Sequence, residues 1–198
     1  MKVIETDIKG VSIIEPQLFG DNRGYFFESY NQKLFNVSVI GKVPGMTACE
    51  FVQDNESKSS YGVVRGLHFQ KPPYAQSKLI RVVKGEVLDV AVDIRRGSPT
   101  FGKYVAARLS GSNHLQFFIP RGFAHGFSVL SQEAILQYKC DSFYNRESEG
   151  AIAWNDPQLN IDWGVEPGQV ILSEKDRSHP LLSEAPYLFD YNENLYQP

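Results

Sequence analysis

Residues 85–102 read GEVLDVAVDIRRGSPTFG. Leu88, Val90, Val92 and Ile94 alternate with Asp89, Ala91 and Asp93, and a period of two residues is what an extended strand sorts onto two faces. Gly97, Ser98 and Pro99 then close the stretch as a turn. The alternation predicts a half-buried strand, apolar on one side and open on the other.

Neighbouring stretches repeat the pattern. SKLIRVVKG (77–85) places Lys78, Ile80 and Val82 on one face, and YGVVRGLHFQKP (61–72) reads as a strand that carries a histidine. KYVAARLS (103–110), LQFFIPRG (115–122), HGFSVLS (125–131) and AILQYKCDSFY (134–144) extend the series. Gly and Pro punctuate these short strands at the intervals of sandwiches and closed barrels. Helical signals are few. NQKLF (31–35) allows a single turn, and NDPQLNIDW (155–163) predicts a short helix with Asn155 as N-cap and Pro157 in its first turn. From about residue 165 the chain is rich in Pro, Glu and Asn and reads as a segment wrapping a barrel. The expectation is a single all-β domain over 1–198, a double-stranded jelly roll with a few short helices.

The 198 residues are 42% hydrophobic and 22% charged with a net charge of −3, the make-up of an ordinary globular domain. No basic run suggests nucleic acid or an anionic membrane as partner. No apolar run approaches the ~18 residues of a spanning helix, and the N-terminus lacks the pattern of a signal peptide. Cys49 and Cys140 are the only cysteines and lack metal-ligand spacing, which fits buried thiols in a reducing compartment. The expected location is cytoplasmic.

The chemistry concentrates on two histidine-bearing strands. A histidine inside an apolar strand needs a hydrogen-bond partner, a metal or a proton-transfer role. Pro120, Gly122 and His125 form P-x-G-x-x-H, a turn that delivers a histidine into a strand, as in the second motif of cupin barrels. Metal-binding cupins add H-x-H, but Phe69 and Gln70 follow His68, and only four histidines exist, at 68, 114, 125 and 179. No metal site is therefore expected, which leaves His68 as a hydrogen-bonded core histidine or an acid/base. On a regular strand Arg65 and His68 face opposite sides, and Gly66 between them is a natural bulge position. Lys78 is either a solvated strand-end lysine or a buried cation paired with something anionic. Tyr138 is either packing or a proton donor facing a histidine across a cavity.

Several stretches together resemble the dTDP-4-dehydrorhamnose 3,5-epimerase family: DNRGYFFE (21–28), FVQDNESKSSYGVVRGLHFQ (51–70), AQSKLIRVVKGEVLDVAVDIRRGSPTFG (75–102), IPRGFAHGFSVL (119–130) and LSEKD (172–176). The resemblance implies a jelly-roll homodimer that converts dTDP-4-dehydro-6-deoxy-D-glucose without metal or organic cofactor, on the route to dTDP-L-rhamnose. It implies His68 as base, Tyr138 as acid, Lys78 as stabiliser of the enolate oxygen and Asp176 as the carboxylate paired with His68. It further implies that Arg23, Glu28, Gln53, Asn55, Arg65, His125, Glu149 and Lys175 line the nucleotide-sugar site. Ser142 and Phe143 depart from the Asp and Tyr common in the family. Epimerases of a single carbon, C3 or C5, and ketoisomerases of other deoxysugar pathways share most of these motifs. A non-catalytic sugar-binding cupin is the reading from a different class.

Overall fold

A computed structural model describes residues 1–197; Pro198, the end of the 165–198 segment, lies outside them. The chain opens with β1 (Lys2–Glu5), β2 (Ser12–Glu15), β3 (Phe19–Asp21), β4 (Gly24–Phe26) and helix α1 (Gln32–Val39). Next come β5 (Gln53–Ser60), β6 (Val64–Gln70), β7 (Lys78–Lys84), β8 (Glu86–Asp93), β9 (Arg95–Arg96) and β10 (Tyr104–Ser110). Finally β11 (Gln116–Ile119), β12 (Phe123–Val129), β13 (Glu133–Cys140), β14 (Glu149–Ala151) and β15 (Phe189–Asp190) complete the strands.

Two antiparallel sheets form the jelly roll expected from the alternation. One has six strands in the order β1-β2-β11-β7-β13-β5, the other five in the order β10-β8-β12-β6-β14. Their inner faces meet in a core in which Ile80, Val82, Phe117 and Leu136 oppose Val87, Ala91, Leu109, Phe127 and Val129. Core side chains fill one part of the barrel, and the polar residues described below occupy the rest.

The opening stretch differs from expectation in one respect. The alternation along β8 is real, but neither face is open: Val90, Val92 and Ile94 point outward into a second core. Ile152, Leu159, Trp163, Leu182, Ala185 and Phe189 close over that outer face. The covering chain is tied down by a bridge between Val63 and Ile171 and by parallel pairing of β15 with β9. A strand that is buried on both sides still shows a period of two when Asp89 and Asp93 fall on one face and Val90 and Val92 on the other.

Two helix expectations need correction. Residues 155–163 form turns, not a helix. The organising residue is Asp156 rather than Asn155: its carboxylate accepts from the amides of Gln158 (2.7 Å) and Leu159 (3.3 Å) on one oxygen and of Leu182 (2.6 Å) on the other. Spending the carboxylate on a tertiary contact lets Leu159 and Trp163 enter the outer core. Conversely, α1 is a full helix of eight residues, started by Asn31 Oδ1 accepting from the Leu34 amide at 3.1 Å. Phe35 and Val39, one turn apart, bury against Phe118 and Leu79 on the back of the six-stranded sheet.

Candidate active site

At one end the sheets part around a cavity of about 440 Å³ lined by His68, Lys78, Tyr138, Glu149, Lys175 and His179, among others. Its walls come from both sheets: His68 and Glu149 from β6 and β14, Lys78 and Tyr138 from β7 and β13.

The bulge at Gly66 sets the first wall. His68 pairs with His125 and Arg65 with Phe127, so three steps along β6 match two along β12. Opposed residues share a face, and His125 and Phe127 are two apart. Arg65 and His68 therefore both turn inward, as Phe127 does into the core. Only glycine suits position 66: its φ is +143°, and an added Cβ would lie 2.6 Å from the Cα of Gly126.

His68 Nε2 sits 2.6 Å from Asp176 Oδ1, while the second Asp176 oxygen accepts from the Ser173 hydroxyl at 2.7 Å. Burial opposes ionisation of Asp176, but the bonds from His68 and Ser173 outweigh it and draw its pKa down to about 2. Asp176 is thus an anion held against the imidazole at any ordinary pH. His68 is half-buried, with one edge facing the cavity.

Sequence reasoning missed His179. Its ring packs edge-on to His68 with centroids 5.6 Å apart, and its Nε2 lies 3.4 Å from the same Asp176 oxygen without hydrogen-bond geometry. His68, Asp176 and His179 thus bring three ligand-type atoms within 4.8 Å of one another. The sole hint was local: His179 follows Asp176 by three residues, on the covering segment rather than on a barrel strand. Burial, then the nearby His68, lower its pKa.

The opposite wall carries Tyr138 and Lys78, with the Lys78 ammonium 5.7 Å from the centre of the Tyr138 ring. Burial raises the Tyr138 pKa, so the phenol keeps its proton at neutral pH. Burial lowers that of Lys78, opposed by Cys140 and Asp89. Asp89 is the inward carboxylate of β8 and binds His125 Nε2 at 2.9 Å, which accounts for a charge inside the barrel. Burial lowers the His125 pKa, and the Asp89 charge works against that.

The remaining expected residues divide. Lys175 pairs with Glu149 at the rim. Gln53 accepts from the Tyr144 amide at 2.9 Å and donates to Asn55 at 3.0 Å, and Asn55 lies opposite Tyr138 in the sheet. Arg65 donates to the Ser59 hydroxyl, and its charge offsets part of the burial effect that raises the Tyr138 pKa. Arg23 and Glu28, expected in the site, are not brought to it within this chain. Arg23 sits at the exposed tip of the β3/β4 hairpin, paired with Asp21, and Glu28 lines a different cavity with Tyr30 and Gln116.

A sequence model of the family described as dTDP-4-dehydrorhamnose 3,5-epimerase matches residues 5–184. A protein of that name from Shigella flexneri is 54% identical over 187 residues, 94% of this chain and 99% of the relative. The crystal structure of the epimerase from Elizabethkingia anophelis superposes with a TM-score of 0.87 at 52% identity, covering 94% of this chain and 99% of that one. The Legionella pneumophila enzyme in complex with dTDP-4-keto-L-rhamnose gives a TM-score of 0.89 at 48% identity, with 97% and 99% coverage. A 3'-monoepimerase from Streptomyces bikiniensis in complex with dTDP gives 0.86 at 29% identity, with 95% and 92% coverage.

Proposed function

The chain belongs to the dTDP-4-dehydrorhamnose 3,5-epimerase family, and from that premise we propose that it inverts C3 and C5 of dTDP-4-dehydro-6-deoxy-D-glucose, giving dTDP-4-dehydro-L-rhamnose for dTDP-L-rhamnose synthesis. The observation that carries this reading is the pairing of opposite walls: an Asp176-bound His68 on one sheet and a protonated Tyr138 beside Lys78 on the other.

The C4 ketone acidifies the hydrogens on C3 and C5, because loss of either leaves an enolate. Nε2–H of His68 donates to the Asp176 carboxylate, so Nδ1 takes the proton as base, and the imidazolium that forms is stabilised by Asp176. The Lys78 ammonium stabilises the enolate oxygen, where charge develops in a water-poor setting. Tyr138 returns a proton to the opposite face, which inverts the centre. Its raised pKa keeps it a donor at neutral pH. Solvent then takes the proton from His68 and returns one to Tyr138, and rotation of the sugar would present the second carbon to the reset pair. Every step uses side chains of the chain, so neither a metal nor an organic cofactor is required, and a chelator should leave the rate unchanged.

For binding, Arg65 suits the diphosphate through its forked donors, with His125, Gln53, Asn55, Glu149 and Lys175 around the sugar and nucleoside. Arg23 and Glu28 reach a site only through a partner copy, which favours a homodimer. The hairpin that bears Arg23 leaves Phe19, Tyr25 and Phe26 exposed, Phe26 at 68%, an apolar patch that a second chain would cover. We assign residues 1–198 to one domain, with 165–197 over the barrel. Among the described residues no helix is long and apolar enough to cross a membrane, and the reading places the chain in the cytoplasm, away from nucleic acid.

The test is solvent exchange. In deuterated water the wild-type chain should place deuterium at C3 and C5 of the dTDP-4-keto sugar; label at one carbon only would assign it to the monoepimerases. His68→Ala should abolish exchange, and Tyr138→Phe should slow product formation more than exchange. Absence of exchange with wild-type protein would refute catalysis and leave a sugar-binding barrel.

A further inference from the structure

Behind the cavity, on the far side of Lys78, lies a polar cluster that the epimerisation scheme does not use. Asp141, the residue after β13, accepts from the Ser77 amide at 2.6 Å on one oxygen and pairs with Arg121 Nε at 3.1 Å on the other. Both carboxylate and guanidinium are largely buried, with side chains 4% and 18% exposed. The Tyr196 hydroxyl completes the group: it lies 2.9 Å from Ser77 Oγ and accepts from the Arg121 amide at 2.9 Å. Arg121 stacks on the Tyr196 ring at 5.1 Å and donates to the Leu195 carbonyl at 2.8 Å. Burial pushes the Tyr196 pKa up, so the phenol stays neutral.

The cluster joins three segments that each lead into a residue of the site. Ser77 directly precedes Lys78. Asp141 stands three residues after Tyr138 on the same strand run. Arg121 stands four residues before His125, in the turn that starts β12. Tyr196 belongs to none of these strands. It comes from the C-terminal segment, beyond residue 184, where the match to the family model ends.

We infer that Tyr196 is a positioning residue for the epimerisation: its phenol pins the ends of β7, β12 and β13 in register, and so fixes Lys78 and Tyr138 relative to the substrate. This rests on the function proposed above. Displacing a buried hydroxyl from two partners leaves the Ser77 hydroxyl and the Arg121 amide to find others. Their movement is passed to side chains one to four residues away, and small misplacements of a proton donor or of an oxyanion partner lower kcat steeply. Arg65, Glu149 and Lys175 lie on none of the pinned strand ends, so kcat should fall far more than KM rises.

Tyr196→Phe keeps the ring and removes the hydroxyl; a chain ending at Glu193 removes the residue altogether. Steady-state kinetics on the dTDP-4-keto sugar should show kcat reduced about tenfold in Tyr196→Phe and more in the shortened chain, with KM within about twofold, at a temperature at which each melts less than a few per cent. Ser77→Ala should lower kcat similarly, and the Ser77→Ala/Tyr196→Phe double variant should be no slower than the worse single one. An unchanged kcat in Tyr196→Phe, a fall in rate that follows only the unfolded fraction, or an equal change in KM would overturn the inference while leaving the proposed function intact. A wild-type chain that fails to exchange deuterium overturns both.

Discussion

Replacing Asp176 by Asn tests the His68 wall most directly, because the substitution keeps size and the Ser173 contact while removing the charge. The fall of the Asp176 pKa from 3.8 to about 2 corresponds to roughly 2.5 kcal/mol of differential interaction at ~1.4 kcal/mol per pH unit. Asp176 is buried, but the His68 side chain is 40% exposed, so water screens part of this and roughly 1–2 kcal/mol remains. That interaction grows as His68 takes up a proton, so its loss falls on the transition state. Asp176→Asn should therefore lower kcat by about 5- to 30-fold from charge alone, and further if the ring also loses its orientation, with KM nearly constant. The assay is initial-rate kinetics paired with deuterium wash-in at C3 and C5. The same pair sets an acid response. A carboxyl with a depressed folded pKa contributes stability above its unfolded pKa and loses it as pH falls. For Asp176 the loss runs from about pH 4 down through about pH 2, so melting temperatures over that range should fall more for wild type than for the Asn variant. A variant with wild-type kcat, beside an inactive His68→Ala, would show that the carboxylate does not assist the base.

Two further outcomes follow from the same geometry. Burial lowers the Lys78 pKa, so the fold bears a cost for its ammonium at neutral pH that is relieved as pH rises through the folded pKa. Lys78→Met should abolish most activity yet raise the melting temperature at pH 7, and a lower melting temperature would contradict the cost assigned to the buried charge. Gly66→Ala places a Cβ 2.6 Å from the Gly126 backbone at φ +143°, and should destabilise the chain by about 3 kcal/mol or more in chemical denaturation; a change under about 1 kcal/mol would mean that the bulge relaxes freely.

Periodicity exposed the strands whose faces differ in polarity. β7, β8 and β12 were legible because their inward residues are spaced by two. β5 was invisible to that criterion: QDNESKSS contains no apolar residue, and it holds its edge position by pairing with β13. α1 was underestimated because its buried stripe is only Phe35 and Val39. The helix expected at 155–163 failed because Asp156 bonds across to Leu182, a partner 26 residues away that local pattern cannot reveal. At the site, the missing H-x-H partner turned attention from spacing within β6 to neighbours in space, but His179 arrives on the covering segment with no motif of its own. Arg23 and Glu28 show the opposite limit, since motif membership does not say whether a residue reaches the cavity of its own chain.

The division of the cavity walls between two sheets has a further consequence. His68 is fastened to one sheet and Tyr138 to the other, so the gap between the two rings is not a property of either side chain. It is set by the thickness of the core beneath, about 10 Å between packed sheets, which Ala91, Phe127 and Leu136 occupy. The barrel works as a caliper whose opening is adjusted from below. Exchanging Val87, whose cross-strand neighbours are Val129 and Leu109, for a larger residue would widen the jaws without touching any group in the cavity, which makes the core a place from which the spacing of the two walls can be tuned.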